Sequence, residues 1–581
     1  MSGRGRLALW ASLALVLPTG AFAWSDDFAH ETLAPRWVST SIYDARPVGR
    51  LVHIPTVIEA HPGTWVLAFV DYPPRGGKVP FDMDETDTIR LQNSNDGGRT
   101  WSKPRRFDAN YSLNPGFIRG REGDLWMFFD RKSSAGQDDN NLWYCHSVDD
   151  GLTWNRPQPI AVGERVHLLA NNGMVLPNGD LVIAYYYDRG NRTLPFNLER
   201  QDFASGVLLS SDQGQTWRSY GEVVARNLSG LPNARSCAVE PTLIWSQPGL
   251  LRMLVRTRAG SIFDATSADL GRTWSDARPT RLSNPNTKSA ALTLRDGRAV
   301  LVWNNAQVFD SAEKRFPLMA ALSEDGGRTW PYTVTVSDDR VPLTYPTLIE
   351  RGGEITIIHD RNYEELRQVR IQENDLRHRW TPINLPAAWK ISGGVALMTD
   401  SRAVPIQPEW SRGSYAKRSW PGGAPYPWTN WSKLVSFLPD KPERAEVTAE
   451  FRWDGGNDED GAIGIFSGYQ DEDNWLAWVC RPGPGRAGME RQEHFGASNL
   501  PTHYWEKTGR WDEPVRIAPG AWYEVKVVQQ AAGLRWELRA QGDERLLAAA
   551  TLPLYSHGHF LAIGTRGTKA SFQNIRVRPA D

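Results

Sequence analysis

The sequence predicts an all-β chain of two units, a repeat-built β-propeller followed by a β-sandwich. Three observations carry this prediction. An octet of the form Ser-x-Asp-x-Gly-x-Thr-Trp recurs five times, no long stretch has helical periodicity, and the composition combines 26 Trp and 51 Gly with frequent Pro, which suits short strands and tight turns.

Taken in order, residues 1–23 read as a signal peptide. Arg4 and Arg6 precede an apolar run from Leu7 to Leu17, and Ala21-Phe22-Ala23 forms a small-x-small cleavage site. The mature protein is therefore expected to be secreted or periplasmic. The apolar run is too short to span a bilayer, so no integral membrane association is expected. With 66 basic and 67 acidic residues the net charge is -1, which offers no field to recruit nucleic acid or an anionic surface. The three cysteines, Cys145, Cys237 and Cys480, leave at least one unpaired, so packing rather than disulfides must carry stability.

Residues 24–400 are expected to form the propeller. The octets begin at Ser94, Ser147, Ser210, Ser267 and Ser323, between 53 and 63 residues apart, a period that suits one four-stranded blade with its loops. Between them run LWMFFD, VLPNGDLVIAYYYD, LLRMLVRT and RAVLVWNN, β-branched or aromatic runs bounded by turn signals. Within the octet, the Asp carboxylate can accept from turn amides, Gly supplies a positive φ and Trp packs on a neighbouring strand. Because the same turn serves several blades, it cannot mark one unique site, and the chemistry should lie elsewhere.

Five such boxes after the opening HIPTVIEAHPGTWVLAF resemble the sialidase superfamily, from about Val48 to about Arg370. The resemblance implies a six-bladed, sialidase-like propeller with its boxes on the rim, away from the active site. It also implies a site in which arginines hold a substrate carboxylate, because their fork matches that group better than a lysine point charge. VEPTLIWSQPGLLRMLVRT supplies Glu240 and Arg256, and KRFPLMAALSEDGG supplies Arg315. The family's tyrosine nucleophile falls on Tyr345 in PLTYPTLIERGG, with Glu240 as its base; a neutral phenol approaches an anionic sugar without charge repulsion. The acid/base falls on Asp82 in VPFDMDETDT, with Asp84 as second candidate and Asp87 nearby. Asn172, entering a strand in NNGMVLPNGD, is a candidate to offer its amide to sugar hydroxyls.

The departure from the family is His53. The third arginine normally sits in an Arg-Ile-Pro strand, and this chain reads Val52-His53-Ile54-Pro55. Arg50 or Arg75 could move in to complete a carboxylate site. Alternatively, His53 and Tyr345 could act as base and acid of a propeller polysaccharide lyase on a uronate held by Arg256 and Arg315, since imidazole titrates where proton transfer needs it. A non-catalytic glycan-binding propeller is the third reading. The expected function is hydrolysis of a terminal acidic sugar from glycans by a retaining mechanism, with a glycan or polysaccharide as partner. His146, His167 and His359 are scattered without ligand spacing, so no metal and no cofactor are predicted.

Residues 401–433, rich in Pro, Gly and Trp, read as a linker. Residues 434–581 carry alternating strands such as AEVTAEFRWDG, NWLAWVCR and SFQNIRVRP. The succession GIFSGYQDEDNWLAW, GAWYEVKVV and ASFQNIRV resembles a concanavalin-like jelly roll, which implies possible carbohydrate contact, with Trp475, Trp478 and Trp505 as stacking candidates.

Overall fold

The computed structural model describes most of residues 37–377 and, beyond them, the strands between 382 and 579. Residues 1–23, 26–36, 75–87, 132–140, 190–201, 226–236, 306–314, 399–431 and 496–516, with several shorter stretches, fall outside the described residues. The described residues are strands joined by turns, with only short 3-10 segments such as Arg46–Val48 and Glu373–Leu376.

Six antiparallel sheets span residues 39–372. Their inner edges are Leu51–His61, Ser112–Arg119, the pair His167–Leu169 and Met174–Val175, then Val239–Gln247, Ala290–Thr293 and Leu343–Arg351. Neighbouring sheets touch near these edges, and the last inner strand meets the first, closing a propeller ring. Apolar side chains fill the space between adjacent sheets, as where Ala60 and Val66 of the first pack with Phe117 and Met127 of the second. A sheet covered on both faces needs no polar alternation. Leu181–Asp188 is accordingly buried along its whole length.

Each box turns the chain between the third and fourth strands of sheets one to five. In the first, Asp96 Oδ1 accepts from the Thr100 amide at 2.9 Å and from Ser94 Oγ at 2.8 Å, while Oδ2 accepts from Thr100 Oγ1 at 2.6 Å. The same Ser-Asp-Thr cage recurs around Asp149, Asp212, Asp269 and Asp325. These bonds hold all five carboxyls below the usual carboxylate range. The box also wedges against the preceding sheet. A Cβ on Gly214, whose φ is +82°, would lie 2.5 Å from the Trp126 ring of the second sheet, so only glycine fits.

Five boxes serve six sheets for a topological reason. The outer strand of the sixth sheet is Ser39–Asp44, which pairs with Glu365–Gln372 from Ser39 opposite Val369 to Asp44 opposite Glu365. That strand arrives from the start of the ring, so there is no turn to clip.

Two further sheets lie C-terminal to the ring. One runs through Ala445–Gly455, Trp522–Gln530 and Gly533–Ala540, the other through Ser432–Phe437, Phe560–Arg566, Ala462–Asp471 and Asn474–Arg481. Trp478 of the second sheet packs at a tilt, 5.6 Å from Phe451 and 6.0 Å from Trp536 of the first, so the two sheets face each other across an aromatic core. Trp478 is thereby buried and corrects the expectation that it stacks on sugar. The side chain of Trp475 and all of Trp505 lie outside the described residues. Pro382–Asn384 and Val395–Met398 pair with C-terminal strands, and Trp389–Ser392 pairs with Val395–Met398, so these sheets begin before residue 400, where the sequence suggested the propeller ends.

Candidate active site

Four inner strands break register at the same place. His53 pairs with Val70 but Thr56 with Ala68; Leu113 pairs with Asp130 but Gly116 with Phe128; Val239 pairs with Arg256 but Thr242 with Leu254; Thr344 pairs with Asp360 but Thr347 with Ile358. Each is a β-bulge with one extra residue on the inner strand. The residue at its centre precedes a proline and has a positive φ: Ile54 at 55°, Asn114 at 50°, Glu240 at 48° and Tyr345 at 49°. Such a backbone costs on the order of 1–3 kcal/mol for a non-glycine residue and persists only where the surroundings enforce it. Asn286, ahead of the fifth inner strand, has a φ of 56°.

The bulges bring together residues far apart in sequence. Tyr345 donates its hydroxyl to Glu240 Oε1 at 2.5 Å, across 105 positions. Arg256, opposite the bulge of Glu240's own strand, donates from Nη1 to Glu240 Oε2 at 2.6 Å and from Nε to Asn286 Oδ1 at 2.9 Å. Both carboxylate oxygens are therefore held by donors. Burial pushes the Glu240 carboxyl up, but Arg256, the Tyr345 hydroxyl and Arg315 together leave it below the usual carboxylate range. Burial, and the Glu240 charge after it, push the Tyr345 phenol well up. At rest, then, the proton sits on the phenol and the charge on the carboxylate. Tyr345 is half-buried, so its ring has an open side.

Around this core lie three more polar groups. Arg315 is buried, donates to Tyr363 Oη at 3.4 Å, and its Nε has no hydrogen-bond partner among the described residues. His53 is buried too, with Nδ1 2.6 Å from Asp360 Oδ2 and its ring edge-on to Tyr345 at 4.1 Å and to Tyr363 at 5.0 Å. Asp360 is fully buried and also accepts from Thr344 Oγ1 at 2.5 Å. Lys288 donates from Nζ to the Pro346 carbonyl at 2.8 Å, and its Nζ lies 5.8 Å from the centre of the Tyr345 ring.

The structure thus brings His53, Glu240, Arg256, Arg315 and Tyr345 together. It sets two other expected site residues to different work. Arg50 is engaged by buried Asp71 through its side chain and by the Asp71 carbonyl at 2.9 Å. Asn172 accepts from Thr56 Oγ1 at 2.6 Å and the Phe117 amide at 2.8 Å, and donates to the Val57 carbonyl at 2.8 Å. Its amide ties sheets together across the axis rather than facing a sugar. Arg75, Asp82, Asp84 and Asp87 lie outside the described residues. Sequence reasoning missed Asn286, Lys288 and Asp360. The available signal was the series Ile54-Pro55, Asn114-Pro115, Glu240-Pro241 and Tyr345-Pro346, which marks the bulges. A cavity further along the axis is lined by Asn171, Met174, Trp245, Ala291 and Thr347, and contains none of the ionisable cluster.

Residues 88–358 match the BNR repeat-like domain family. The propeller belongs to the sialidase and BNR-repeat superfamily. Within that superfamily, a sialidase of Bacteroides fragilis is 24% identical over 292 residues, 43% of this chain and 49% of that protein. An anhydrosialidase of Macrobdella decora is 25% identical over 285 residues, 44% of this chain and 34% of that protein. The chain spans about half or less of the length of these curated relatives. Among solved structures, Hadza microbial sialidase Hz136 is similar at 19% identity with a TM-score of 0.49, over 58% of this chain and 69% of that one. Trypanosoma rangeli sialidase is similar at 13% identity with a TM-score of 0.43, over 92% of both chains.

Proposed function

We propose that this chain is an exported, retaining exo-glycosidase that removes a terminal acidic sugar, sialic acid or a relative, from glycans. The observation that carries the reading is the chain of contacts from Tyr345 through Glu240 to Arg256. The Tyr345 oxygen attacks the anomeric carbon as the bond to the departing oxygen breaks, and the phenol proton passes to Glu240 Oε1. Asp82 protonates the departing oxygen, then deprotonates the water that attacks the glycosyl-tyrosine and releases the sugar. Glu240 returns its proton to the phenolate. Arg256 keeps Glu240 ionised and oriented, while Arg315 takes the sugar carboxylate. The names of the curated relatives support sialic acid as the first sugar to try. The C-terminal sheets form a concanavalin-like module that contacts glycan.

Incubation of the mature protein with 4-methylumbelliferyl sialic acid tests this directly. Fluorescence release that Tyr345→Phe abolishes supports the assignment; no release from any acidic glycoside overturns it. A second reading has its own observation. The His53–Asp360 pair lies edge-on to Tyr345, an arrangement also suited to proton abstraction and return in a uronate lyase. Ultraviolet absorbance from an unsaturated product on a uronic-acid polysaccharide, lost in His53→Ala, would favour it.

A further inference from the structure

Lys288 has no part in the scheme above, yet it is among the least expected residues in the molecule. It is 2% exposed, and among the described residues its ammonium has one hydrogen-bond acceptor, the Pro346 carbonyl at 2.8 Å. An ammonium has three donors, and a buried one needs nearby charge to be tolerated. The segment that carries it is rigid. Asn284 bonds both the amide and the carbonyl of Thr287, at 2.9 Å and 3.0 Å, and the preceding Asn286 is fixed by Arg256.

Two features of its position point to one role. Its hydrogen bond grips the carbonyl of Pro346, the residue after Tyr345, which is itself held at a φ of 49°. Its charge lies 5.8 Å from the Tyr345 ring centre, with His53 against the same ring at 4.1 Å. The other charges facing this volume are the carboxylates of Glu240 and Asp360 and the guanidiniums of Arg256 and Arg315. We infer that Lys288 is a positioning residue for the nucleophile: it fixes the strained Tyr345 backbone and stabilises the phenolate form of that residue. A cation other than Arg256 and Arg315 is thus placed at the attacking oxygen rather than at the sugar carboxylate. The inference rests on the reading of Tyr345 as nucleophile, and it deepens it.

The consequence is a split between binding and turnover. Removing the Lys288 charge lowers kcat and leaves KM for an acidic glycoside near its original value, whereas removing Arg315 raises KM. Burial also pulls Lys288 down to about 8, so turnover falls as pH rises through that region while the cation is lost. Lys288→Arg, which stays charged, removes that alkaline limb.

A substrate-independent measurement separates this inference from the proposed activity. A fluorinated tyrosine at 345, carrying enough fluorine to ionise below the pH at which Lys288 loses its charge, has a fluorine resonance that can be titrated in the full-length protein. Lys288→Met should raise its midpoint by roughly one to two pH units, the size of a unit charge near 6 Å at an effective dielectric of about 20. Lys288→Gln, which keeps a donor for the Pro346 carbonyl without the charge, should do the same, and Lys288→Arg should leave the midpoint low. Circular dichroism verifies that each variant is folded. An unchanged midpoint in folded Lys288→Gln overturns the inference. A shifted midpoint in a protein that cleaves no acidic glycoside supports Lys288 and removes the glycosidase reading.

Discussion

Glu240→Gln tests how the site is held together and what it does. Glu240 accepts from two donors, the Tyr345 hydroxyl on Oε1 and the Arg256 guanidinium on Oε2. Glutamine has a single acceptor oxygen and an NH2 that donates. If its oxygen stays with Arg256, its NH2 faces Tyr345 and reverses that hydrogen bond, so the phenol proton loses its destination. Turnover should fall by about 10²–10⁴, the usual range for a lost general base. The fold suffers for another reason, because Arg256 is left as a buried cation without its counter-charge. Removing one partner of a buried pair costs about 3–5 kcal/mol; the retained neutral hydrogen bond should put this variant near the low end, about 3 kcal/mol. Denaturant unfolding followed by fluorescence reads the change. The companion variant Arg256→Met costs a similar amount alone, and the double variant should be less destabilised than the sum of the two, since neither charge is then stranded. Stability equal to wild type in Glu240→Gln, or strict additivity in the double variant, would refute the view that this pair is one buried unit.

Tyr345→Phe should lower turnover by orders of magnitude while an acidic glycoside still binds by calorimetry. His53→Arg should lower KM for a sialoside several-fold, because Asp360 can pair with the new guanidinium and a planar fork suits a carboxylate; an unchanged KM counts against a carboxylate at this position. Thr329→Val removes the 2.7 Å bond to Asp325 and should cost about 1 kcal/mol in unfolding free energy with turnover unchanged, as a structural box requires. The pH dependence of stability follows from Glu240. Its folded carboxyl lies below the ordinary 4.5, so its contribution is complete above that pH and is lost as pH falls through the lower folded value. Unfolding midpoints between about pH 6 and about pH 3 should fall less steeply in Glu240→Gln than in wild type.

The propeller was legible because its signals are local. A box is eight consecutive residues, and its cage of Ser, Asp and Thr closes within itself, so sequence spacing is nearly structure. Glu240, Arg256 and Tyr345 were legible through a family resemblance, not through physics. Asp360 and Asn286 were not legible, because their importance arises from register. Asp360 matters since the bulge between Thr344 and Thr347 sets it beside His53, 307 residues away, and no local pattern reports that distance. Lys288 was hidden because a lone lysine ahead of a strand reads as solvated surface. Asn172 misled in the opposite direction: a polar residue entering a strand near an axis can as well be a cross-tie, and its three bonds make it one. The end of the propeller was misplaced because strands from 382 onward alternate in the same way whichever sheet they join.

The repeated bulge has a consequence for how such a site can change. Each bulged strand presents one residue beside a proline, and the residue before it pairs with a polar residue of the adjacent strand: Leu113 with Asp130, Val239 with Arg256, Thr344 with Asp360. The ring behaves as a set of interchangeable sockets whose backbone strain is already met by the fold. A single codon change in one socket alters the chemistry offered to the axis while the neighbouring sockets keep their geometry. Histidine at position 53 sits just before such a socket and meets the Tyr345 ring edge-on at 4.1 Å.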